Sequence, residues 1–158
     1  MSKGFIAAEE GHVVLVLQPQ GTCTTAALSG ACFSMENWGH ATIMVAGGIG
    51  STETAITIKE CTGIGGTGAT ALTYRYAEEA STGGDVLDAA LTWSSSVTLG
   101  ATAAVFMVAE IDGDELADGY PYVRVDFEAG AGNAKDLCAF AVLSGGRFQE
   151  DITATVLS

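Results

Sequence analysis

Residues 105–127 read VFMVAEIDGDELADGYPYVRVDF, and the parsing of this stretch decides the fold. Residues 105–111 are almost continuously apolar, as expected of a strand buried on both faces. From residue 122 the pattern alternates: Val123, Val125 and Phe127 point one way, Tyr122, Arg124 and Asp126 the other. That is a strand with one packed face and one face that is wet or meets a partner. Between the two, residues 112–119 are polar, and 114–117 have room for one helical turn at most before Asp118-Gly119 breaks it. The unit is strand, acidic connection, strand.

The same grammar extends in both directions. Residues 12–18 (HVVLVLQ) form a strand that Pro19 ends, with Val13, Leu15 and Leu17 on one face and Val14 and Val16 on the other. Residues 40–46 (HATIMVA) form the next clear strand. Residues 53–61 alternate, with Ile56 and Ile58 inward and Thr57 and Lys59 outward. Residues 71–78 place Leu72, Tyr74 and Tyr76 on one face. Residues 86–94, 135–143 and 152–157 complete the set, and Gly-rich turns separate them. About eight or nine strands joined this way predict an all-β fold: a single-domain antiparallel β-sandwich, jelly-roll-like. Residues 1–11 read as a lead-in arm and residues 12–158 as the sandwich domain.

Composition agrees with that reading. The chain has 158 residues, 48% of them hydrophobic, with 21 glycines, enough for one domain with its own core. Six basic residues face nineteen acidic ones, a formal net charge of −13. Such a surface repels phosphate backbones and anionic bilayers, so neither nucleic acid nor membrane is an expected partner. Residues 1–8 carry one cation and then meet Glu9-Glu10, too short an apolar run for export. No apolar stretch approaches the roughly 18 residues of a spanning helix. The expectation is a product made in a cytoplasm, with Cys23, Cys32, Cys61 and Cys138 reduced and mostly buried. A Cys23–Cys32 disulfide across a loop is the less favoured alternative.

The motifs that carry chemistry elsewhere do not assemble here. Residues 62–68 (TGIGGTG) contain GxGGxG after a strand, but a dinucleotide loop needs a helix next, and residues 71–78 alternate as a strand. Asp112, Asp114, Glu115 and Asp118 offer the oxygens that calcium favours. Yet Ala117 and Val123 stand where an EF-hand loop needs its Gly and its Glu, so an acidic solvated turn is expected and no metal or other cofactor is assigned. His12 and His40 each open an apolar strand and have no assigned nucleophile. There is no GxSxG elbow, and the pairs Glu9-Glu10 and Glu78-Glu79 diverge in extended chain. No catalytic residue is expected. Trp38, Trp93, Tyr74, Tyr76, Tyr120 and Tyr122 could line a sugar-binding face, although core and interface roles are commoner for such residues.

Several segments taken together resemble one family. They are residues 7–19 (AAEEGHVVLVLQP), 33–48 (FSMENWGHATIMVAGG), 55–61 (AITIKEC), 109–127 (AEIDGDELADGYPYVRVDF) and 141–148 (AVLSGGRF). This layout is similar to that of the small capsid decoration, or cement, proteins of tailed bacteriophages. The resemblance implies a jelly-roll-like sandwich on the outside of an icosahedral head. It implies a small homo-oligomer, dimer or trimer, that bridges neighbouring major capsid subunits. The expected interface residues are Phe5, Glu9 and Glu10 in the arm and Tyr120 and Tyr122 at the end of the sandwich. A carbohydrate-binding module is the alternative, and an unrecognised Asp/Glu hydrolase ranks last.

Overall fold

The computed structural model describes residues 11–20, 27–48, 53–79, 86–87, 91–100, 105–129 and 136–146. Among these the chain forms twelve strands in two antiparallel sheets, and no helix. The first sheet runs, in spatial order, β1 (His12–Gln20), β12 (Leu137–Ser144), β4 (His40–Gly47), β10 (Val105–Asp112), β7 (Tyr74–Glu79) and β8 (Thr92–Ser94). The second runs β2 (Leu28–Ser29), β11 (Tyr122–Ala129), β5 (Thr54–Cys61) and β6 (Thr70–Ala71), with β3 (Phe33–Ser34) also on β11 and β9 (Val97–Leu99) on β5.

The pairing is nested. β1 pairs with β12, β2 and β3 with β11, β4 with β10, and β5 with β6 and β9. A long antiparallel hairpin rolled on itself gives this interleaving of β1-β12-β4-β10 with β2-β11-β5-β6, the jelly-roll connection. The β-sandwich expected from the sequence is therefore observed.

The strand count exceeds the eight or nine expected because five strands of two or three residues lie at the margins. β2 falls within residues 20–31 (QGTCTTAALSGA), whose small residues read as a loop. The segment 71–78 is not one strand. Leu72 N still donates to Ile58 O of the second sheet at 2.9 Å, while Tyr74 already pairs with Ser94 in the first. The chain changes sheet at Leu72–Thr73, yet Leu72 and Tyr74 both stay buried. Of residues 86–94, only Thr92–Ser94 pairs among those described. The arm (residues 1–10), residues 88–90 and the expected strand 152–157 lie outside the described residues.

β1 departs from its simple alternation. Leu15 pairs with Phe140 and Leu17 with Ala139, so Val16 is an extra residue, a β-bulge. The bulge turns Leu17 inward beside Val16, where alternation groups it with the exposed Val13 and Leu15. Pro19 does not end the strand, because β1 is an edge whose register is already irregular between Leu17 and Gln20. Gly30 closes this side. Its N–H donates to Val125 O at 2.8 Å, and Ala31 N donates to Val16 O at 2.7 Å, so one short segment bridges both sheets. A Cβ on Gly30 would sit 2.8 Å from Val16 Cγ1 and 3.1 Å from Val125 O, so only glycine permits the approach.

The core lies between the sheets. Ile43, Val45, Met107, Ala109, Ile111, Ala139 and Leu143 of the first sheet meet Phe33, Ile56, Ile58, Val123, Val125 and Phe127 of the second. Fully burying each larger side chain contributes about 1.5–3 kcal/mol. Tyr74 is buried with them and donates its hydroxyl to Ile56 O at 3.0 Å, a bond from one sheet to the backbone of the other. Burial pushes its phenol well above the ordinary value.

Candidate functional site

β10 is where expectation and structure differ most usefully. Its apolar run reads as a strand buried on both faces, but burial alternates along it. Met107, Ala109 and Ile111 are buried, whereas Phe106, Val108 and Glu110 are half-buried. A two-layer sandwich covers only one face of each sheet. The second apolar face of β10 therefore points outward, and its neighbours do the same.

The register shows how far this outer face extends. Leu15, Phe140, Met44, Val108 and Ala77 form one row across β1, β12, β4, β10 and β7. On one side lies the row Cys138, Ala46, Phe106 and Glu79. On the other lies Val13, Val142, Thr42, Glu110, Arg75 and Trp93. Exposure is uneven across it: Val13 is 55% exposed, Leu15 54% and Trp93 56% at the two edges, whereas Val142 and Ala77 within the rows are buried.

One end of the face is closed by an ionic ladder. His40 Nδ1 lies 2.7 Å from Asp112 Oδ1, and its Nε2 lies 2.7 Å from Glu110 Oε2. Carboxylates only accept, so in each of these contacts the imidazole nitrogen is the donor. Thr42 Oγ1 donates to the same Glu110 oxygen at 2.9 Å. Arg75 bonds Asp112, approaches Glu115 Oε1 at 3.6 Å and lies over the Trp93 ring at 5.5 Å. His40 and then Arg75 hold the Asp112 carboxyl below its ordinary range. The acidic connection is thus ordered by its own side chains: Asp112 N donates to Glu115 Oε2 at 2.9 Å, and Glu115 N to Asp112 O at 3.0 Å.

The second sheet also carries charge on its outer face. Asp126 is buried, with Lys59 Nζ 2.8 Å from Oδ2 and Arg124 Nη2 donating to the same oxygen at 3.0 Å. Burial alone raises its pKa, but hydrogen bonds from Lys59, Arg124 and Ser29 together outweigh burial and bring it below the ordinary value. Cys32 and Cys61 are buried free thiols near Arg124, and burial, with Cys61 alongside, pushes Cys32 up to about 11. Both are protonated near neutral pH and weakly nucleophilic. Cys23 lies outside the described residues.

The residues singled out in the sequence scatter. Phe5, Glu9 and Glu10 lie outside the described residues. Tyr122 is half-buried on β11 opposite Ser34 and Cys61, on the second sheet. Tyr120 lines a groove of about 260 Å³ with Met35, Glu36, Leu116, Asp118 and Pro121 at the end of the sandwich. That loop is tied down: Ala117 N donates to the buried Glu60 Oε2 at 2.8 Å, and Met35 N to Pro121 O at 2.7 Å. The aromatics proposed for a sugar platform do not share a face. Tyr74 is in the core, Trp38 is buried and stacked on His12 at 5.9 Å, and Trp93 belongs to the outer face of the first sheet. His12 and His40 do not meet, since β12 separates their strands. The TGIGGTG segment is a turn, with Gly66 and Gly68 at φ of 76° and 66°, and it leads into β6.

No protein-family model matches the chain, and no curated protein matches it. Among solved structures, the fold is similar to the SPBc2 prophage-derived protein YomS, with a TM-score of 0.54 over 85% of this chain and 94% of that one. At 15% identity the likeness is one of fold. The N-terminal cellulose-binding domain of a Cellulomonas fimi β-1,4-glucanase aligns over 89% of this chain and 80% of that domain at 15% identity, but with a TM-score of 0.23 it carries no weight.

Proposed function

We propose that this chain is a structural protein of a tailed-phage particle that binds the outer surface of the head and cements contacts between major capsid subunits. It acts by binding and turns over no substrate. The observation that carries the reading is the apolar outer face of the first sheet, open at Val13, Leu15 and Trp93, on a strongly acidic chain. A face of this kind marks an interaction surface. The acidic balance favours a protein partner over DNA, which suits a position outside the shell. Two further observations support the reading: the sequence layout resembles capsid decoration proteins, and the fold is similar to that of a prophage-derived protein. On a shell the protein acts as a small homo-oligomer in many copies, so modest individual contacts add up.

The test is co-sedimentation of the purified protein with expanded empty heads of its phage. The reading expects saturable occupancy at a fixed ratio to the major capsid protein. Absence of the protein from the pelleted heads, at concentrations well above those of the capsid subunits, would contradict it.

A further inference from the structure

We infer that the outer face of the first sheet, not the Tyr120 end of the sandwich, seats on the partner, and that the partner surface is apolar at its centre with lysine and arginine at its edge. This inference rests on the capsid-binding reading above and adds the face and the chemistry of the contact.

The face has the anatomy of an interface. Its centre is the row Leu15, Phe140, Met44 and Val108, which the buried Ala77 closes, and charged side chains are confined to its ends. Depletion of charge at the centre of a patch, with aromatics and Met present, is the compositional mark of an interface core. Phe140, Met44 and Phe106 supply these residue types. Five strands about 4.8 Å apart, with three rows of side chains, give a footprint of the order of 500 Å², to which the buried Val142 and Ala77 add little exposed surface. That is below the ~800 Å² per partner of a standard interface, and it suits a protein held at many sites at once.

Charge selects the occupant. Glu110, Asp112 and Glu115 border one end of the face, and Glu79 ends the row at the other. Arg75 and His40 pair with the three carboxylates of the first end but are outnumbered by them, so both ends stay acidic. A second copy docked face to face would bring like-charged ends together on two chains of formal charge −13 each. A partner with cations around an apolar centre meets the same face without that repulsion.

The experiment compares Val13→Ser/Leu15→Ser with Tyr120→Ser and wild type, by co-sedimentation with expanded heads, sedimentation velocity and thermal melting. Val13 and Leu15 are more than half exposed, so the double variant should fold as wild type does. Its binding should weaken at least ~10-fold, while Tyr120→Ser binds as wild type. Wild-type binding should also weaken as NaCl rises from about 50 to about 500 mM, because the edge contacts are screened. If wild type binds and the double variant binds equally, the face is wrong while the capsid reading stands. If wild type does not bind, the reading falls and the inference with it. If the double variant changes the oligomeric state, the occupant is a second copy. If its melting temperature drops by more than ~10 °C, the face is covered by the chain itself. Either result overturns the partner assignment. Binding indifferent to salt would overturn the basic edge.

Discussion

Tyr74 shows how one residue can belong to two descriptions. By type it is an interface or sugar-stacking aromatic. By position it is a core residue whose hydroxyl crosses from the first sheet to Ile56 O on the second. Tyr74→Phe keeps the ring and leaves that buried carbonyl without its donor. It should cost about 1–2 kcal/mol, measured by urea unfolding, with occupancy on heads unchanged. A neutral substitution would show that the carbonyl finds another partner. The inward alternation of Leu72, Tyr74 and Tyr76 was legible in the sequence. The side-chain bonds of His40 were not, because Asp112 and Glu110 lie about seventy residues away and meet it only through the β4–β10 register. The same holds for Asp126, which reads as a solvent-facing position on an alternating strand but is buried against Lys59 and Arg124.

At the level of elements, Asp126 joins β11 to β5 through Lys59 and to β2 through Ser29. Its carboxyl is held below the ordinary value in the fold. A depressed folded pKa means that this stabilisation is complete above the unfolded value, about 3.9, and is lost as pH falls through the folded one. Asp112 contributes in the same direction. Asp126→Asn should lose about 1.5–3 kcal/mol at neutral pH, the range of hydrogen bonds to a charged group, and its deficit against wild type should shrink below about pH 4, read from paired urea titrations. A deficit independent of pH would contradict the ionic account. The strands themselves were mostly legible, since hydrophobic periodicity survives in the long elements. The bulge at Val16 and the sheet change at Leu72–Thr73 were not, because both depend on what the partner strand does. The apolar outer face was half legible. Residues 105–111 are apolar at both parities, and in a two-layer sandwich only one parity can be covered by the other sheet. Taken with the predicted fold, that already implies an outward apolar face. Read as double-sided burial, the same run hides it.

For the whole molecule, the jelly-roll pairing sets the first sheet's outer face opposite the charged second sheet and beside the Tyr120 end, giving three distinct surfaces for one partner to choose among. The apolar rows and the acidic ends favour the first. The most direct measurement is a cryo-EM reconstruction of the expanded head carrying the protein. The account predicts an ordered lattice of copies outside the shell, each with the β1-β12-β4-β10 sheet turned towards the capsid subunits. Copies seated through the Tyr120 loop or the second sheet would contradict the assigned face, and a shell without the protein on its outer surface would contradict the function.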